Sequence, residues 1–446
     1  MNFLKTEQTP RGIKIRFRNK NYELKYPENI WKNYPNKEIL INNYIPLATL
    51  SLPLIINLKT IKYNLPISAS HKKCKELFLK DLPGSTHDNK QDVIKLTKQF
   101  KNIKYQFQKR KKIKPITNIS KNIRHKAIIL LSFGKDSLLS LAVSREVGLN
   151  PVTVYINDTI SPKENKQKLD LSKKIAEEFK LKHYVIQNSI ERLVDFETWS
   201  KPETNFNYSH MITGFCFIAL PFIHHHNSKY IILGNEQDMN FSFKTWQNLK
   251  AWPAYDQTTE WQKELNKMMK QLTNNKIEVI SIIRPLTNIA IIKILHKRYP
   301  EIAKHQFSCD CLNASRKRRW CHECNKCARL FLFMKAFGIN ARKLGLKNLF
   351  DKKHKKLYSL FGGKEVDRYE QNPESIEQQL LAFLLATRRK TKGYLIDYFK
   401  KYYLKEALER EDELRKKYFR IWPANIPKEI KSKVNSIYKE ELKELQ

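Results

Sequence analysis

The pattern of apolar and polar positions changes character near residue 126. Residues 127–131 form an unbroken apolar run, residues 132–137 are polar and turn-like, and residues 138–147 repeat apolar side chains at helical spacing. Residues 151–156 form a second apolar run. Short apolar runs separated by helical periodicity are typical of buried strands that alternate with helices. The pattern therefore predicts a strand, a turn, a helix and a second strand.

The alternation continues beyond the second strand. It predicts a helix at 169–179, a strand at 183–186, a long apolar helix at 211–224 and a strand at 230–233. Strands that alternate with helices in this way form a parallel sheet covered on both faces. We therefore expect an α/β fold with a doubly wound parallel sheet.

Four regions are expected along the chain. They are an N-terminal α+β domain at 1–120, the α/β domain at 121–305, a cysteine-rich module at 306–350 and a charged helical region at 351–446. The first region contains a β-like run at 12–17 and an apolar stretch at 44–56, and the last has helical patterns at 375–387 and 402–417. The basic segment 109–115 is interpreted as a linker.

The chain is basic throughout. Its 446 residues include 84 Lys and Arg against 44 Asp and Glu, so the formal net charge is +40. Such a charge suits a surface that binds RNA or nucleotides. The basic residues are dispersed, however, and Lys, Asn and Ile are abundant everywhere, as a biased genome composition would produce. Both explanations remain open from the charge alone.

The lengths of the apolar runs bear on the cellular location of the protein. No run approaches the roughly 18 uninterrupted apolar residues that a membrane span needs. The first 20 residues have no apolar core of signal-peptide type. We therefore expect a cytoplasmic protein without a membrane span, and the sequence does not predict its oligomeric state.

The cysteines are strongly clustered. Five of the seven lie within nineteen residues, namely Cys309, Cys311, Cys321, Cys324 and Cys327. In a chain without a secretion signal, such clustering favours a metal site over disulfides. Cys321, Cys324 and Cys327 supply three thiolates, and either Cys309 or Cys311 can complete a tetrahedral zinc site. Four thiolates leave no position for a catalytic water, so this zinc would be structural. An iron–sulfur cluster is the alternative.

The polar turn has the composition of a phosphate-binding loop. Its residues are Ser132, Phe133, Gly134, Lys135, Asp136 and Ser137. A turn between a strand and its helix presents backbone N–H groups to an anion. We expect Gly134 to adopt a positive φ, the two serine hydroxyls to donate to phosphate oxygens, Lys135 to add positive charge and Asp136 to help to hold Mg²⁺. An ordinary βα turn is the alternative interpretation.

The loop resembles the SGGxDS signature of the PP-loop ATP pyrophosphatases, with Phe133 in place of the first of the two glycines. This substitution has little consequence if residue 133 has an ordinary φ, and counts against the resemblance if it does not. The resemblance implies ATP and Mg²⁺ as cofactors and a sheet like that of the adenine nucleotide alpha hydrolases (the HUP fold). It further implies that one strand ends near the adenosine and another near the phosphates, and that these ends carry, respectively, Asn157 and Asp158, and Gly234, Asn235 and Glu236.

A longer series of motifs resembles the ATP-dependent UDP-N-acetylmuramoyl-L-alanyl-L-glutamate epimerases of peptidoglycan synthesis. The matching segments lie between about residues 120 and 360, at 234–236, 255–261, 281–286, 307–309, 320–327 and 346–351. The resemblance implies adenylation of the terminal L-Glu carboxylate with release of pyrophosphate. A base then removes the acidified Cα proton, reprotonation on the opposite face inverts the centre, and hydrolysis releases AMP.

The catalytic candidates under this resemblance are Lys135, Asp136 and Glu236. Arg284 is expected to bind a phosphate or a substrate carboxylate through its planar guanidinium. Unranked candidates for the general base are His210, Glu236, Asp238, Tyr255, Asp256 and Glu260.

Other functions remain open on the same residues. The 7-cyano-7-deazaguanine synthases also combine a PP-loop with a four-cysteine zinc site, although they are shorter. A tRNA-modifying PP-loop enzyme would account for the basic charge, and an ATP-binding, RNA-associated protein is the non-enzymatic alternative. The expected partner is therefore a small molecule, a nucleotide-sugar peptide or tRNA.

Overall fold

A computed structural model of the chain describes residues 2–108, 116, 124–158, 162–202, 206–309, 319–367 and 369–446. The predicted linker at 109–115 lies outside these residues.

Residues 2–108 contain five strands and five helices. The strands are β1 (Phe3–Thr9), β2 (Gly12–Phe17), β3 (Lys20–Lys25), β4 (Thr60–Pro66) and β5 (Lys104–Gln108). The helices are α1 (Glu28–Lys32), α2 (Lys37–Ala48), α3 (Leu52–Ile55), α4 (His71–Ser85) and α5 (Val93–Lys101). The predicted strand at 12–17 is confirmed as β2, and the apolar stretch at 44–56 is helical.

The central part alternates strands and helices, as predicted. Its strands are β6 (Arg124–Leu130), β7 (Val152–Asp158), β8 (His183–Asn188), β9 (Ser228–Ile232), β10 (Phe243–Lys244), β11 (Lys250–Ala251) and β12 (Glu278–Ile280). Its helices are α6 (Lys135–Glu146), α7 (Pro162–Glu178), α8 (Met211–Ile218), α9 (Leu220–His226), α10 (Thr259–Leu272), α11 (Asn288–Arg298), α12 (Pro300–Ala303) and α13 (Asn325–Ala336).

The C-terminal part is helical, as predicted. Its helices are α14 (Pro373–Arg388), α15 (Tyr394–Tyr402), α16 (Leu404–Glu409), α17 (Glu411–Tyr418) and α18 (Lys428–Leu442). Short 3₁₀ helices occupy Ile190–Leu193, Glu197–Trp199, Phe206–Tyr208, Gln237–Asn240, Tyr255–Gln257, Ala341–Leu344, Lys352–Leu357 and Ser359–Phe361.

Ten strands form one mostly parallel sheet in the order β12-β9-β6-β7-β8-β3-β2-β1-β4-β5. The five strands from β12 to β8 are parallel. Strand β3 pairs antiparallel with β8, so the N-terminal strands continue the same sheet. Strands β10 and β11 form a separate antiparallel pair.

The sheet is covered on both faces, as the apolar runs predict. In β6, Ala127 and Ile129 belong to one hydrophobic cluster, which contains α6, α11 and α13, while Ile128 belongs to a second cluster with α8 and α9. The neighbouring β9 alternates in the same way, with Tyr230 in the first cluster and Ile231 in the second. Successive side chains of a strand point to opposite faces, so both faces here are buried.

Two predicted helices are divided. The prediction of one helix at 211–224 is wrong, because α8 ends at Ile218 and α9 begins at Leu220. Pro221 lies in the first turn of α9 and has no N–H to donate to the carbonyl of Phe217, so a continuous helix would lose a hydrogen bond there. The pattern at 402–417 likewise forms two helices, α16 and α17, which meet at Arg410.

Two segments of the described chain are long and apolar enough to cross a membrane by length and composition. They are residues 37–55 and 206–226, and 94% and 78% of their apolar windows are buried inside the protein. Core helices of soluble proteins have the same properties, so no clear membrane span emerges from the described residues.

Candidate functional site

The candidate phosphate loop connects β6 to α6. Gly134 is the N-cap of α6, and the helix begins at Lys135. Because β6, β7 and β9 are parallel neighbours, their carboxyl ends meet at the same edge of the sheet. The loop, the end of β7 and the Gly234–Glu236 turn after β9 are therefore brought together, as predicted.

Hydrogen bonds between its two serines close the loop. Ser132 Oγ donates to Ser137 Oγ at 3.2 Å and accepts from the Gly134 N–H at 3.4 Å. Ser137 Oγ in turn donates to the Gly134 carbonyl at 3.2 Å. Both hydroxyls thus lie at the N-terminus of α6, where the helix dipole favours negative charge.

The positive φ falls on Phe133 and not on Gly134. Phe133 has φ 64°, whereas Gly134 has φ −69°, so the expectation for Gly134 is wrong. The Phe133 ring is fully buried, with its centroid 5.9 Å from that of Tyr155, and its carbonyl accepts from the Phe307 N–H at 2.8 Å. These contacts hold the residue in a left-handed conformation that costs about 1–2 kcal/mol. Phe133 therefore counts against an unmodified PP-loop, although the backbone takes the conformation that a glycine would adopt at this position.

Gly234 allows the end of β9 to approach the start of α6. A Cβ on Gly234 would lie 3.0 Å from the Cβ of Asp136 and 3.4 Å from the Ser137 nitrogen. A contact of this length is tighter than most real Cβ contacts, so any side chain at position 234 would force the start of α6 to shift by a few tenths of an ångström. The Gly234 position is therefore a packing requirement of the site.

Lys135 lies between two carboxylates. Its Nζ is 2.7 Å from Asp136 Oδ1 and 2.8 Å from Glu236 Oε2, and the Lys135 and Glu236 side chains are almost fully buried. Burial alone would lower the pKa of Lys135, but the charges of Asp136 and Glu236 outweigh it and raise the pKa. The ammonium is therefore fixed in its charged form next to the loop.

The surroundings of Glu236 disfavour the charged form of its carboxyl group. Burial raises its pKa well above the usual range, the Asp136 carboxylate acts in the same direction, and Lys135 opposes both. Burial also raises the pKa of Asp238, whose Oδ2 accepts from the Asn288 backbone N–H at 2.8 Å and side-chain amide at 2.6 Å. The Asn288 amide also donates to Glu236 Oε1 at 3.0 Å, so one network holds both carboxyl groups.

Arg284 donates a hydrogen bond to the backbone of the turn that contains Glu236. Its Nη1 donates to the Glu236 carbonyl at 2.7 Å, and its Nη2 donates to the Gln257 carbonyl at 2.6 Å. The side chain is buried, which lowers its pKa to about 9 although the Glu236 charge opposes this shift. In this structure Arg284 thus holds backbone carbonyls.

Two cavities meet at the loop. The strand-end cavity, of about 300 Å³, lies at the carboxyl ends of β6, β7 and β9 and against α8. The loop–cysteine cavity, of about 230 Å³, lies between the loop, α7 and α13. Ser132, Asp136 and Lys168 line both cavities.

The predicted binding residues divide between these cavities. Gly134 and Lys135 line the loop–cysteine cavity, whereas the strand-end cavity is lined by Ser137, Asp158, Gly234 and Asn235. The described lining does not include Phe133, Asn157, Glu236 or Arg284. Phe133 packs beneath the loop, and Asn157 donates to Gln187 Oε1 at 2.6 Å.

In the strand-end cavity, the side-chain amide of Asn235 is the polar group that best indicates a bound ligand. The residue is 1% exposed, and within the described chain neither side-chain heteroatom has a hydrogen-bond partner. An unpaired buried amide is costly, and a ligand that bonds to it would remove that cost.

Three cavity-lining cations were not predicted from the sequence. Lys168 lies on α7, and Lys326 and Arg329 lie on α13. Lys168 Nζ is 2.6 Å from Glu164 Oε2, and Arg329 is ion-paired with the buried Glu370. Their helical spacing resembles that of ordinary surface cations, so only the packing of α7 and α13 against the loop identifies them.

The candidates for the general base lie in different places. His210 Nε2 is 2.7 Å from Glu191 Oε2 in a buried pair. Tyr255 Oη and Glu260 Oε1 both accept from Lys80, at 2.9 and 2.6 Å. None of these groups belongs to the described lining of the two cavities.

Four cysteines form the cluster predicted from their spacing. The ligand atoms of Cys309, Cys321, Cys324 and Cys327 all lie within 4.8 Å of one another. Cys327 Sγ is 3.9 Å from Cys321 Sγ and 3.7 Å from Cys309 Sγ. Cys309 is thus positioned as the fourth ligand, and Cys311 lies outside the described residues.

The cluster has the dimensions of a tetrahedral metal site. Sulfur atoms about 2.3 Å from one tetrahedral ion lie about 3.8 Å apart, which agrees with the observed spacing. Backbone N–H groups of Cys321, Glu323 and Cys327 point at three of the sulfurs, at 3.2–3.4 Å, and would stabilise thiolate charge. The donor set is consistent with zinc. In an iron–sulfur cluster the four thiolates are divided among two or four irons, which would place some of the sulfurs farther apart.

The cluster is attached directly to the loop. Cys309 lines the loop–cysteine cavity, and the neighbouring Phe307 donates to the Phe133 carbonyl. Cys324 caps α13 by accepting from the Cys327 N–H, so the cluster also fixes the helix that carries Lys326 and Arg329. No protein-family model and no curated protein matches the chain.

Proposed function

We propose that the chain is an ATP-dependent enzyme that transfers AMP to a substrate carboxylate and releases pyrophosphate. The observation that carries this proposal is the meeting of the two cavities at Ser132, Asp136 and Lys168. A nucleotide and an acceptor in adjoining cavities would share the phosphate loop, as adenylyl transfer requires. The mostly parallel sheet, with its cavity at the strand ends, also supports a fold of the adenine nucleotide alpha hydrolase type.

We assign the adenosine to the strand-end cavity. Its apolar walls include Val154, Ile156 and Phe215, which suit a purine ring, and the unpaired amide of Asn235 supplies polar recognition. Asp136 borders both cavities and would hold Mg²⁺, which neutralises phosphate charge during transfer. The Lys135 ammonium, fixed by Asp136 and Glu236, adds positive charge at the same point.

We assign the acceptor to the loop–cysteine cavity. Four cations, Lys135, Lys168, Lys326 and Arg329, line it against two acids, Asp136 and Glu164. Lys135, Lys168 and Arg329 are each ion-paired with a carboxylate, so the lining is rich in charged N–H donors without a large net charge. These donors can bond to the carboxylate of an acceptor. A volume of about 230 Å³ admits one terminal amino-acid residue with its carboxylates and leaves the rest of a larger substrate outside.

The specific reaction that we propose is epimerisation of the terminal L-Glu of UDP-N-acetylmuramoyl-L-alanyl-L-glutamate. The α-carboxylate oxygen bonds to the α-phosphorus of ATP as pyrophosphate leaves. The resulting acyl adenylate acidifies the Cα–H, which is lost to a base and regained on the opposite face. Water then cleaves the adenylate to give the D-Glu product and AMP. In this scheme zinc is structural and holds α13 against the acceptor.

The test is exchange of labelled pyrophosphate into ATP by the purified chain, with and without the UDP-linked dipeptide. Exchange that requires the dipeptide, followed by recovery of D-Glu from it, is the expected result. Exchange that requires instead a carboxy-deazaguanine with ammonia, or tRNA, would replace the acceptor but keep the adenylation. The absence of exchange with all of these acceptors would contradict the enzymatic proposal and favour an ATP-binding protein.

A matched pair of variants tests the site itself. Asp136→Asn is expected to reduce exchange by about 100-fold or more, since it removes charge from the proposed phosphate and metal site. Asp397→Asn makes the same chemical change on α15, where the side chain is 76% exposed, and should leave exchange unchanged. Equal activity of both variants would remove the loop from the mechanism.

A further inference from the structure

A second basic surface lies on the opposite side of α13 from the loop. Here Lys335, Arg342, Lys347, Arg389 and Lys392 line a cavity of about 620 Å³, which we call the basic groove. Its other described lining residues are apolar or neutral, and none is acidic. On α13, Arg329 and Phe333 line the loop–cysteine cavity, whereas Phe331 and Lys335 line the groove. At about 100° per residue these pairs lie on opposite faces of the helix, so the groove is a separate site.

The groove cations have no ion-pair partner within the described chain. Elsewhere in the C-terminal part, cations such as Arg410 and Lys417 are paired with Glu377. One groove cation is held in place by the fold, because Arg389 Nε donates to the Ala336 carbonyl at 2.9 Å. Gly338, at φ 65°, makes room for this guanidinium, since a Cβ there would lie 3.1 Å from Arg389 Nη1. Five cations in one lining that contains no acidic residue repel one another and favour a polyanionic ligand.

A row of tyrosines begins two residues after Lys392, a lining residue of the groove. Helix α15 is anchored there because the Leu395 N–H donates to the carbonyl of Phe350, a lining residue, at 2.8 Å. Tyr394, Tyr398 and Tyr402 lie at spacings of four along this helix, with neighbouring ring centroids 6.4 and 4.6 Å apart. We call these residues the tyrosine row. Tyr394 is 43% exposed and Tyr402 is 57% exposed.

We propose that the basic groove and the tyrosine row together bind single-stranded nucleic acid. The groove holds the phosphodiester backbone, and the exposed rings stack with unpaired bases. Exposed aromatic rings on the helix that follows the lining residue Lys392 distinguish this ligand from a small phosphate, which would use the cations only. The site is independent of the proposed adenylation chemistry and uses none of its residues.

The test measures binding of a labelled strand of about 16 nucleotides, as RNA and as DNA, by fluorescence anisotropy across a range of salt concentrations. The groove variant combines Lys335→Gln, Arg342→Gln, Lys347→Gln and Lys392→Gln, and leaves the structural Arg389 in place. The control variant changes four exposed lysines of the N-terminal part, as Lys20→Gln, Lys62→Gln, Lys95→Gln and Lys101→Gln. Each variant lowers the net charge from +40 to +36, so the amount of charge removed is the same and its position differs.

The groove variant is expected to bind at least about tenfold more weakly, with a salt dependence reduced by about three counterions. The control variant should bind within about twofold of the native chain, because distant charges are screened. Tyr394→Ala with Tyr402→Ala should weaken binding about tenfold or more, whereas the matching Tyr→Phe changes retain stacking and affinity. A preference for RNA over DNA would identify the 2′-hydroxyl as part of the recognition.

Three results would overturn the proposal. The first is that the native chain binds neither strand, and the second is that the groove and control variants lose affinity equally. The third is that inorganic triphosphate displaces the strand while the tyrosine-to-alanine variant binds normally. The last result would identify a site for small phosphates. Pyrophosphate exchange by the groove variant, measured in parallel, should match the native chain, so failure here is distinguishable from failure of the adenylation proposal.

Discussion

The ammonium of Lys135 lies 2.8 Å from a carboxylate oxygen of Glu236, although 101 positions separate the two residues in the chain. Lys135 begins the helix after the loop, and Glu236 lies in the turn after β9. Both are buried, with 7% and 5% of their surface exposed. This contact joins the loop after β6 to the turn after β9, the two segments that border the candidate cavities. Removing either charge should therefore change both the stability of the fold and the charge beside the loop.

Removing one partner of this pair should destabilise the fold. Lys135→Met leaves Asp136 and Glu236 without their cation and is expected to cost about 3–5 kcal/mol of unfolding free energy. Adding Glu236→Gln to that variant should recover part of the loss, because it removes one of the uncompensated charges. Urea denaturation of the single and double variants measures the coupling.

An exposed pair provides the control for this cycle. Lys80 Nζ lies 2.6 Å from Glu260 Oε1, but both side chains are more than half exposed. Its coupling energy should not exceed about 1 kcal/mol, because water screens the pair. Equal coupling energies at the two sites would contradict the buried arrangement of Lys135.

Two neighbouring glycines should respond differently to alanine. Gly234→Ala places a Cβ 3.0 Å from the Asp136 Cβ, so β9 and α6 must separate, at a cost of about 1–3 kcal/mol. Gly134→Ala meets nothing closer than 3.5 Å and keeps an ordinary φ, so its cost should be at most about 1 kcal/mol, by which alanine is a poorer N-cap than glycine. Thermal and urea unfolding of the two variants compares them directly, and a Gly134→Ala variant that is less stable than Gly234→Ala would contradict the observed loop backbone.

The cysteine cluster should lose metal and stability together. Cys324→Ser removes one thiolate, while the serine hydroxyl can still cap α13, so the purified variant is expected to contain less zinc and to unfold at lower temperature because the metal is lost. Cys74→Ser is the matched control, since this thiol is buried away from the cluster and burial raises its pKa to about 12. Elemental analysis should find native zinc content in the control. A stable, zinc-free Cys324→Ser variant would contradict a structural metal.

Stability should fall as the pH falls from about 6.5 to about 4. Burial lowers the pKa of His71, His183, His226 and His296 to about 4. An unfolded histidine titrates near 6.5, so between these values the unfolded chain binds more protons, and the stability present above about pH 6.5 is lost. His296→Asn should reduce this dependence by up to about 1.4 kcal/mol per pH unit. An unchanged slope in urea unfolding from pH 7 to 4.5 would show that His296 is not buried in neutral form.

The strands around the loop were predictable because burial on both faces leaves a local signature. The apolar runs at 127–131 and 230–233 match β6 and β9 to within a few residues. The predicted helix at 211–224 failed at Pro221, because its apolar pattern records which residues are buried and not whether the backbone hydrogen bonds continue. Lys168 and Arg329 were missed for a related reason, since a cation beside a cavity has the same local pattern as one in solvent.

By itself, the sequence determined the alternation of strands and helices, the position of the loop after the first central strand, and the clustering of cysteines suited to a metal. These features depend on residues close together in the chain, where periodicity and spacing express the physical requirement directly. Only the tertiary structure decided that Lys135 is held between Asp136 and Glu236, that Phe133 takes the left-handed conformation, and that β3 joins the N-terminal strands to the central sheet. Those outcomes depend on contacts between distant segments, because burial and charge pairing are properties of the packed chain.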